Sequence, residues 1–136
     1  MKLVADANVL LSAVIGGRAK LILDHHEVQS VLTTETTMAE VQEYTPVLAA
    51  KKRLPVDIVL LAVAALPVIV VERSTYARRL REAVRRIGRR DPDDAELLAL
   101  ALHLRIPLWS NDRDFEGVGV QLVTTEDLLR RLRIID

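Results

Sequence analysis

Asp6 stands between two apolar runs, Leu3-Val4-Ala5 and Val9-Leu10-Leu11, where a carboxylate has little reason to sit unless it does chemistry. Three further acids occupy places from which they can join it. Glu40 lies about two turns into a predicted helix, Asp94 opens an apolar helix, and Asp112 follows the apolar run Ile106-Pro107-Leu108-Trp109. Carboxylates drawn together repel and do not all stay ionised without compensation. A hard divalent cation supplies it, and Mg²⁺ or Mn²⁺ takes oxygen ligands readily. One such ion activates a water, and a second stabilises the leaving oxygen of a phosphodiester. Cysteine is absent, and the histidines stand at 25, 26 and 103, in no zinc-like spacing with the acids. The donor set therefore favours Mg²⁺ or Mn²⁺, as one ion or two, over zinc.

The elements decide whether these acids can meet. Lys2 to Ala5 reads as a strand, Val9 to Ile15 as a helical turn and Arg18 to Asp24 as a helix with Ala19, Leu21, Ile22 and Leu23 inward. A second strand is expected over Ser30 to Thr33 and a helix over Thr34 to Tyr44. Thr45-Pro46 then starts another short helix, with Pro at its first position. Pro55 to Ala65 reads as a helix with Ile58, Val59, Leu61 and Leu66 as core, and Val68 to Val71 as a β-branched strand. Ser74 to Gly88 carries Tyr76, Leu80, Val84 and Ile87 at helical spacing. Asp93 to Leu104 is apolar nearly all round, so a central buried helix is expected there. Strands at Pro107 to Ser110 and Gln121 to Val123 and a helix at Thr124 to Leu132 complete the chain. Strands alternating with helices predict a three-layer α/β/α sandwich around a mainly parallel sheet of about five strands.

In such sheets sites form beyond the carboxyl ends of the strands. Asp6 and Asp112 follow two strands, so parallel strands bring both to one edge. The helix from Asp94 to Leu104 is about 16 Å long, and the strand after Pro107 runs back beside it, returning Asp112 close to Asp94. The longer side chain of Glu40 can lean over the same edge. Each acid also has a plainer reading. Thr37-Met38-Ala39-Glu40 fits a capping box, in which Glu40 bonds back to the helix start. Asp93 with Glu96 fits another, with Asp93 as N-cap and Asp94 beside a favourable helix dipole. Asp112 and Asp114 are common turn residues.

With those residues in view, the chain resembles the PIN-domain family. Asp6-Ala7-Asn8-Val9-Leu10-Leu11-Ser12 resembles its opening, Met38-Ala39-Glu40-Val41 its second acid, and Asp91-Pro92-Asp93-Asp94-Ala95-Glu96-Leu97 its third-acid helix. Ile106 through Phe115, with Ser110-Asn111-Asp112-Arg113-Asp114, is similar to its fourth-acid strand and turn. The resemblance implies a metal-dependent nuclease, most often acting on RNA. Its metal carboxylates here would be Asp6, Glu40, Asp94 and Asp112, with Asp114 an auxiliary acid and Ser110 and Asn8 polar supports. Stand-alone members of this size are commonly VapC-like ribonuclease toxins neutralised by a partner antitoxin, and they often dimerise. The two helices between Glu40 and the third strand are similar to another branch of the family, a departure that bears on the toxin role more than on the chemistry.

Composition bounds the partners. The 136 residues are 50% hydrophobic and 28% charged, which excludes a disordered chain and fits a single domain, here taken as residues 1–136. Lys plus Arg and Asp plus Glu number 19 each, so charge alone does not hold nucleic acid. The zero is a segregated sum. Residues 73–90 hold eight arginines against Glu82, a local charge of +7, and residues 91–116 hold seven acids against Arg105 and Arg113, a local charge of −5. A basic helix leading into an acidic pocket suits a phosphate backbone, and a solvated helix face is the plainer alternative. The candidate backbone contacts are Arg18, Lys20, Arg85, Arg86, Arg89, Arg90 and Arg113. Tyr44, Tyr76, Trp109 and Phe115 are too few aromatics for a base-stacking platform. Ile58 to Val71 is uncharged but interrupted by Pro67 and shorter than the roughly 20 residues of a spanning helix, so no membrane partner and a cytoplasmic location are expected.

A catalytically weak RNA-binding or scaffold module is the alternative, opposed by the intact acids. Other phosphoryl-transfer enzymes fit less well. Asn8 stands where haloacid-dehalogenase-like phosphatases need a second acid, no Gly-Lys-Ser/Thr loop occurs, and no Lys follows Lys52 as a receiver-type site requires.

Overall fold

The computed structural model describes residues 1–88 and 91–135. Its sheet contains β1 (Lys2–Ala5), β2 (Ser30–Thr34), β3 (Ile69–Val71), β4 (Leu108–Trp109) and β5 (Leu122–Val123), in the order β3-β2-β1-β4-β5. Every neighbouring pair is parallel, with Val4 opposite both Leu32 and Leu108. The chain moves outward from β1 through β2 to β3, then crosses to the other side of β1 for β4. That reversal makes the carboxyl ends of β1 and β4 the switch point of the sheet.

The helices are α1 (Ala7–Val14), α2 (Arg18–Leu23), α3 (Glu35–Lys52), α4 (Val56–Ala64), α5 (Arg73–Tyr76), α6 (Leu80–Ile87), α7 (Pro92–Leu104) and α8 (Thr125–Arg131). Short 3-10 turns cover Ala77–Arg79 and Arg113–Phe115. Strand periodicity divides the core. Leu3, Ala5, Val31, Trp109 and Val123 pack with α1, α2 and α8 on one face, while Val4 and Leu108 pack with Tyr76, Ala83 and α7 on the other. The α/β/α layering expected from the alternation of elements is the one observed.

Several local expectations need correction. Pro46 lies inside α3 instead of starting a new helix. The Thr45 hydroxyl donates to Val41 O at 2.8 Å, and Leu48 and Ala49 are buried beyond the proline, so packing carries the helix through it. In α4 the buried positions are Val59 and Val63, whereas Ile58 is 56% and Leu61 66% exposed. One face of α4 meets α3 and α1, and among the described residues the other is left exposed at Ile58, Leu60 and Leu61. Leu21 is likewise exposed on α2. The helix expected over Ser74 to Gly88 breaks at the 3-10 turn, which shifts its phase so that Ala83 is buried and Val84 is not. No helix among the described residues is long and apolar enough to cross a membrane.

Candidate active site

The carboxyl edge of the sheet holds a small cleft of about 80 Å³, lined by Asp6, Asn8, Glu40, Asp93, Asp94 and Asp112, with Ala7, Leu97 and Phe115 as its apolar walls. Each acid arrives by a local device. Asp6 leaves β1 as the N-cap of α1, its carboxylate accepting from the Val9 amide at 2.9 Å. Ser110, fully buried just past β4, donates its hydroxyl to the other Asp6 oxygen and accepts from the Asp112 amide at 3.0 Å. One serine thus ties the ends of the two central strands together. Asp112 in turn accepts from the Asp114 amide at 2.9 Å, which fixes the turn after β4.

Glu40 projects from the second turn of α3 because that helix begins three residues earlier than a Thr37 cap would start it. Thr34 is the N-cap and receives the Thr37 amide at 3.0 Å, so Glu40 is not the reciprocal partner of a capping box and lines the cleft instead. The box expected between Asp93 and Glu96 is also absent. Asp91 is the N-cap of α7 and accepts from the Asp93 amide at 2.9 Å, with Pro92 next in the helix. Released from capping, Asp93 joins the cleft, a member the sequence reading assigned elsewhere. The Asp91-Pro92 pair was the available signal, since Pro favours the first helical position. Glu96 is 4% exposed and paired with Arg73.

The electrostatics of the cleft are those of crowded acids. Burial pushes the Asp6 carboxyl above its ordinary range, and the Asp112 charge adds to it, against the lowering effect of the Ser110 and Val9 hydrogen bonds. Burial also raises Glu40, with Asp93, Asp91, Asp94 and Asp6 contributing in that order. Asp93 is raised by burial and then by Asp91, Glu96 and Glu43. The acids raise one another, and among the described residues no cation lines the cleft. An all-oxygen, multiply acidic donor set fits a hard divalent ion. Among the described residues a tighter group of ligand atoms, all within 4.8 Å, belongs to His25, His26 and Glu27 in the loop before β2, away from the carboxyl edge.

Of the remaining candidates, those among the described residues do not line this cleft. Ser110 supports it from behind, and Asp114 sits on the adjoining 3-10 turn. Lys20 pairs with Asp24 at 2.6 Å and Arg113 with Glu116 at 2.7 Å. Arg18 opens α2 at its first helical position, and Arg85 is exposed on α6. Arg86 pairs with Glu82 at 3.3 Å and lines a different cavity. Arg89 and Arg90 lie outside the described residues.

Comparison with known proteins agrees with this architecture. PAE2754 from Pyrobaculum aerophilum superposes with a TM-score of 0.74 at 20% identity, covering 99% of this chain and 91% of that one. VapBC2 from Rickettsia felis, solved bound to a DNA fragment from its promoter, gives 0.61 at 14% identity over 91% of this chain and 98% of the other. VapC20 from Mycobacterium tuberculosis, described as a sarcin-ricin loop cleaving toxin, gives 0.61 at 18% identity over 89% and 98%. No curated protein sequence matches significantly. The family model described as PIN domain matches residues 4–133, and with nearly the whole chain so matched, this protein belongs to the PIN-domain family.

Proposed function

We propose that this chain is an endoribonuclease that hydrolyses RNA phosphodiester bonds with Mg²⁺ or Mn²⁺ bound at the carboxylate cleft. The observation that carries the reading is the convergence of Asp6, Glu40, Asp94 and Asp112 from four separate elements on one small polar cleft at the switch point of the sheet. Those four would hold one or two ions, which supply a lowered water pKa and neutralise charge at the phosphodiester. Ser110 and the α1 N-terminus hold Asp6 in a fixed orientation. Asn8 offers an amide at the mouth, and Leu97 and Phe115 exclude bulk water from one side. Water as nucleophile makes no use of a 2′-hydroxyl, so the products carry 5′-phosphate and 3′-hydroxyl ends, and single-stranded DNA is a slow substrate. Arg18, Lys20, Arg85, Arg86, Arg89, Arg90 and Arg113 are the proposed backbone contacts, with Asp114 an auxiliary acid.

A toxin role, with a protein antitoxin and a homodimeric or higher assembly in the cytoplasm, is proposed on the likeness to VapBC2 and VapC20. The experiment that tests the activity is cleavage of a mixed RNA pool with Mn²⁺ and with chelator, using wild type and Asp94→Asn. Metal-dependent cleavage by wild type and its loss in a folded Asp94→Asn support the reading. RNA bound equally well in chelator, with no Mn²⁺ uptake and no cleavage, would replace it with a binding or scaffold module.

A further inference from the structure

A second cavity, of about 410 Å³, lies away from the carboxylates and shares no residue with their cleft. Arg79, Glu82 and Arg86 line one side and Arg105 another, with Gln121 ahead of β5. Helix α7 reaches both sites, Asp94 at one end and Arg105 just past the other, about 16 Å apart along the axis.

Three guanidiniums face this cavity with Glu82 as the one carboxylate among them, leaving an excess charge of +2. Glu82 spans two of the three, Arg79 Nη1 at 2.8 Å and Arg86 Nη2 at 3.3 Å, so a single acid holds both planar groups in place. Each of these two guanidiniums has five N–H donors and gives one of them to Glu82, and Arg105 makes no ion pair among the described residues. The loop before β5 is shaped to the same end. Gly119 has φ +98°, and a Cβ there would stand 2.7 Å from Arg86 Nη1, so glycine lets the guanidinium lie against the loop. The remaining wall is apolar, formed by Leu102, Ile106 and Val120.

Clustered guanidiniums with unused donors match the charge and fork geometry of a phosphate dianion. An apolar wall beside a few convergent polar groups, at this volume, suits a ligand that joins that phosphate to a flat body. We propose that this cavity binds a phosphate monoester of nucleotide size, the chemical class of a nucleoside monophosphate, independently of the carboxylate cleft.

Isothermal titration with AMP in the presence of chelator tests it, with inorganic phosphate and adenosine as separate probes. AMP should bind wild type with one-to-one stoichiometry, and each half of it at least about tenfold more weakly. Arg105→Gln, at an exposed side chain, should weaken AMP by about tenfold or more, the scale of a lost charge-assisted contact, with an unchanged thermal midpoint. Gly119→Ala, which displaces Arg86 and keeps its charge, should weaken it as well. Asp94→Asn should bind AMP as wild type does, which separates this site from the proposed nuclease cleft whether or not RNA is cleaved. A 5′-phosphorylated single-stranded RNA oligonucleotide that displaces AMP, where its unphosphorylated form does not, identifies an RNA 5′ end as the source of the monoester; displacement by neither identifies a free nucleotide, and equal displacement by both overturns the monoester assignment. Absence of AMP binding, binding that survives both Arg105→Gln and Gly119→Ala, or binding lost in Asp94→Asn overturns the proposal.

Discussion

Replacing Asp6 by asparagine keeps the shape of the residue and removes its charge, which separates its two roles. As an N-cap it accepts from the Val9 amide at 2.9 Å, and asparagine caps a helix about as well. The new amide can donate to the Ser110 hydroxyl, whose second lone pair still accepts from Asp112. Metal-free stability should therefore change by less than about 1 kcal/mol. Metal-linked stability should not survive. An ion at a hundred times its Kd stabilises the wild type by about 2.7 kcal/mol. At about 4 °C per kcal/mol for a chain of this size, the thermal midpoint rises by roughly 10 °C. In Asp6→Asn the same Mn²⁺ concentration should raise it by less than about 3 °C.

Burial, and then neighbouring charge, raises the carboxyls of Asp6 and Glu40 in the metal-free protein, so both resist deprotonation. Their contribution to metal-free stability is present below the unfolded pKa and lost as pH rises through the raised folded value. Mn²⁺ needs them ionised, so its stabilising effect grows over that same rise. Scanning calorimetry with Mn²⁺ or chelator across this range gives both quantities. An equal Mn²⁺ shift in wild type and Asp6→Asn would refute the assignment of Asp6 to a metal.

Thr124 and Asp127 cap α8 reciprocally, the Asp127 amide donating to the hydroxyl at 3.1 Å and the Thr124 amide to the carboxylate at 3.0 Å. Thr124→Ala should cost about 0.5–2 kcal/mol in urea unfolding at neutral pH. The Thr124 hydrogen bonds hold Asp127 below its ordinary range, so their contribution is present above the unfolded carboxyl pKa. It is lost as pH falls through the depressed value, and the gap between wild type and variant should narrow there. At the Arg73–Glu96 pair, buried Glu96 Oε2 has no hydrogen-bond partner among the described residues, and the arginine supplies the charge that compensates the carboxylate. Arg73→Gln should therefore destabilise more than Glu96→Gln, because it leaves a buried charge uncompensated. Matched denaturant curves compare the two, and the reverse order would show that the pair is not what holds Glu96.

The acidic edge was readable because it depends on chain order more than on side-chain detail. Two strands of a parallel sheet must deliver the residues after them to one edge, so Asp6 and Asp112 were placed before any packing was known. Glu40 and Asp94 followed from helix length and direction. Asp93 was missed because a cap is a contest between near neighbours. Asp91, Asp93 and Glu96 all offer oxygens within one turn, and Pro92 together with the Glu96–Arg73 contact settles it for Asp91. The same limit applies to α3, where Thr34 and Thr37 are both fit caps and the Thr34 hydroxyl takes the Thr37 amide.

The sequence by itself determined the α/β/α layering, the parallel sheet and the meeting of Asp6, Glu40, Asp94 and Asp112 at one edge, because periodicity and strand direction are local and repeat along the chain. Only the tertiary structure decided which helix faces are covered. Apolar residues on all sides of α4 do not say that a single face meets the protein and leaves Ile58 and Leu61 outside. It also divided the arginines. The described arginines of the basic segment are spread over α5, a 3-10 turn and α6, where Arg73 neutralises a buried glutamate and Arg79 and Arg86 share Glu82 around a separate cavity. Charge adds along a sequence, but its effect falls off over ångströms in space, so only the fold assigns each guanidinium its partner.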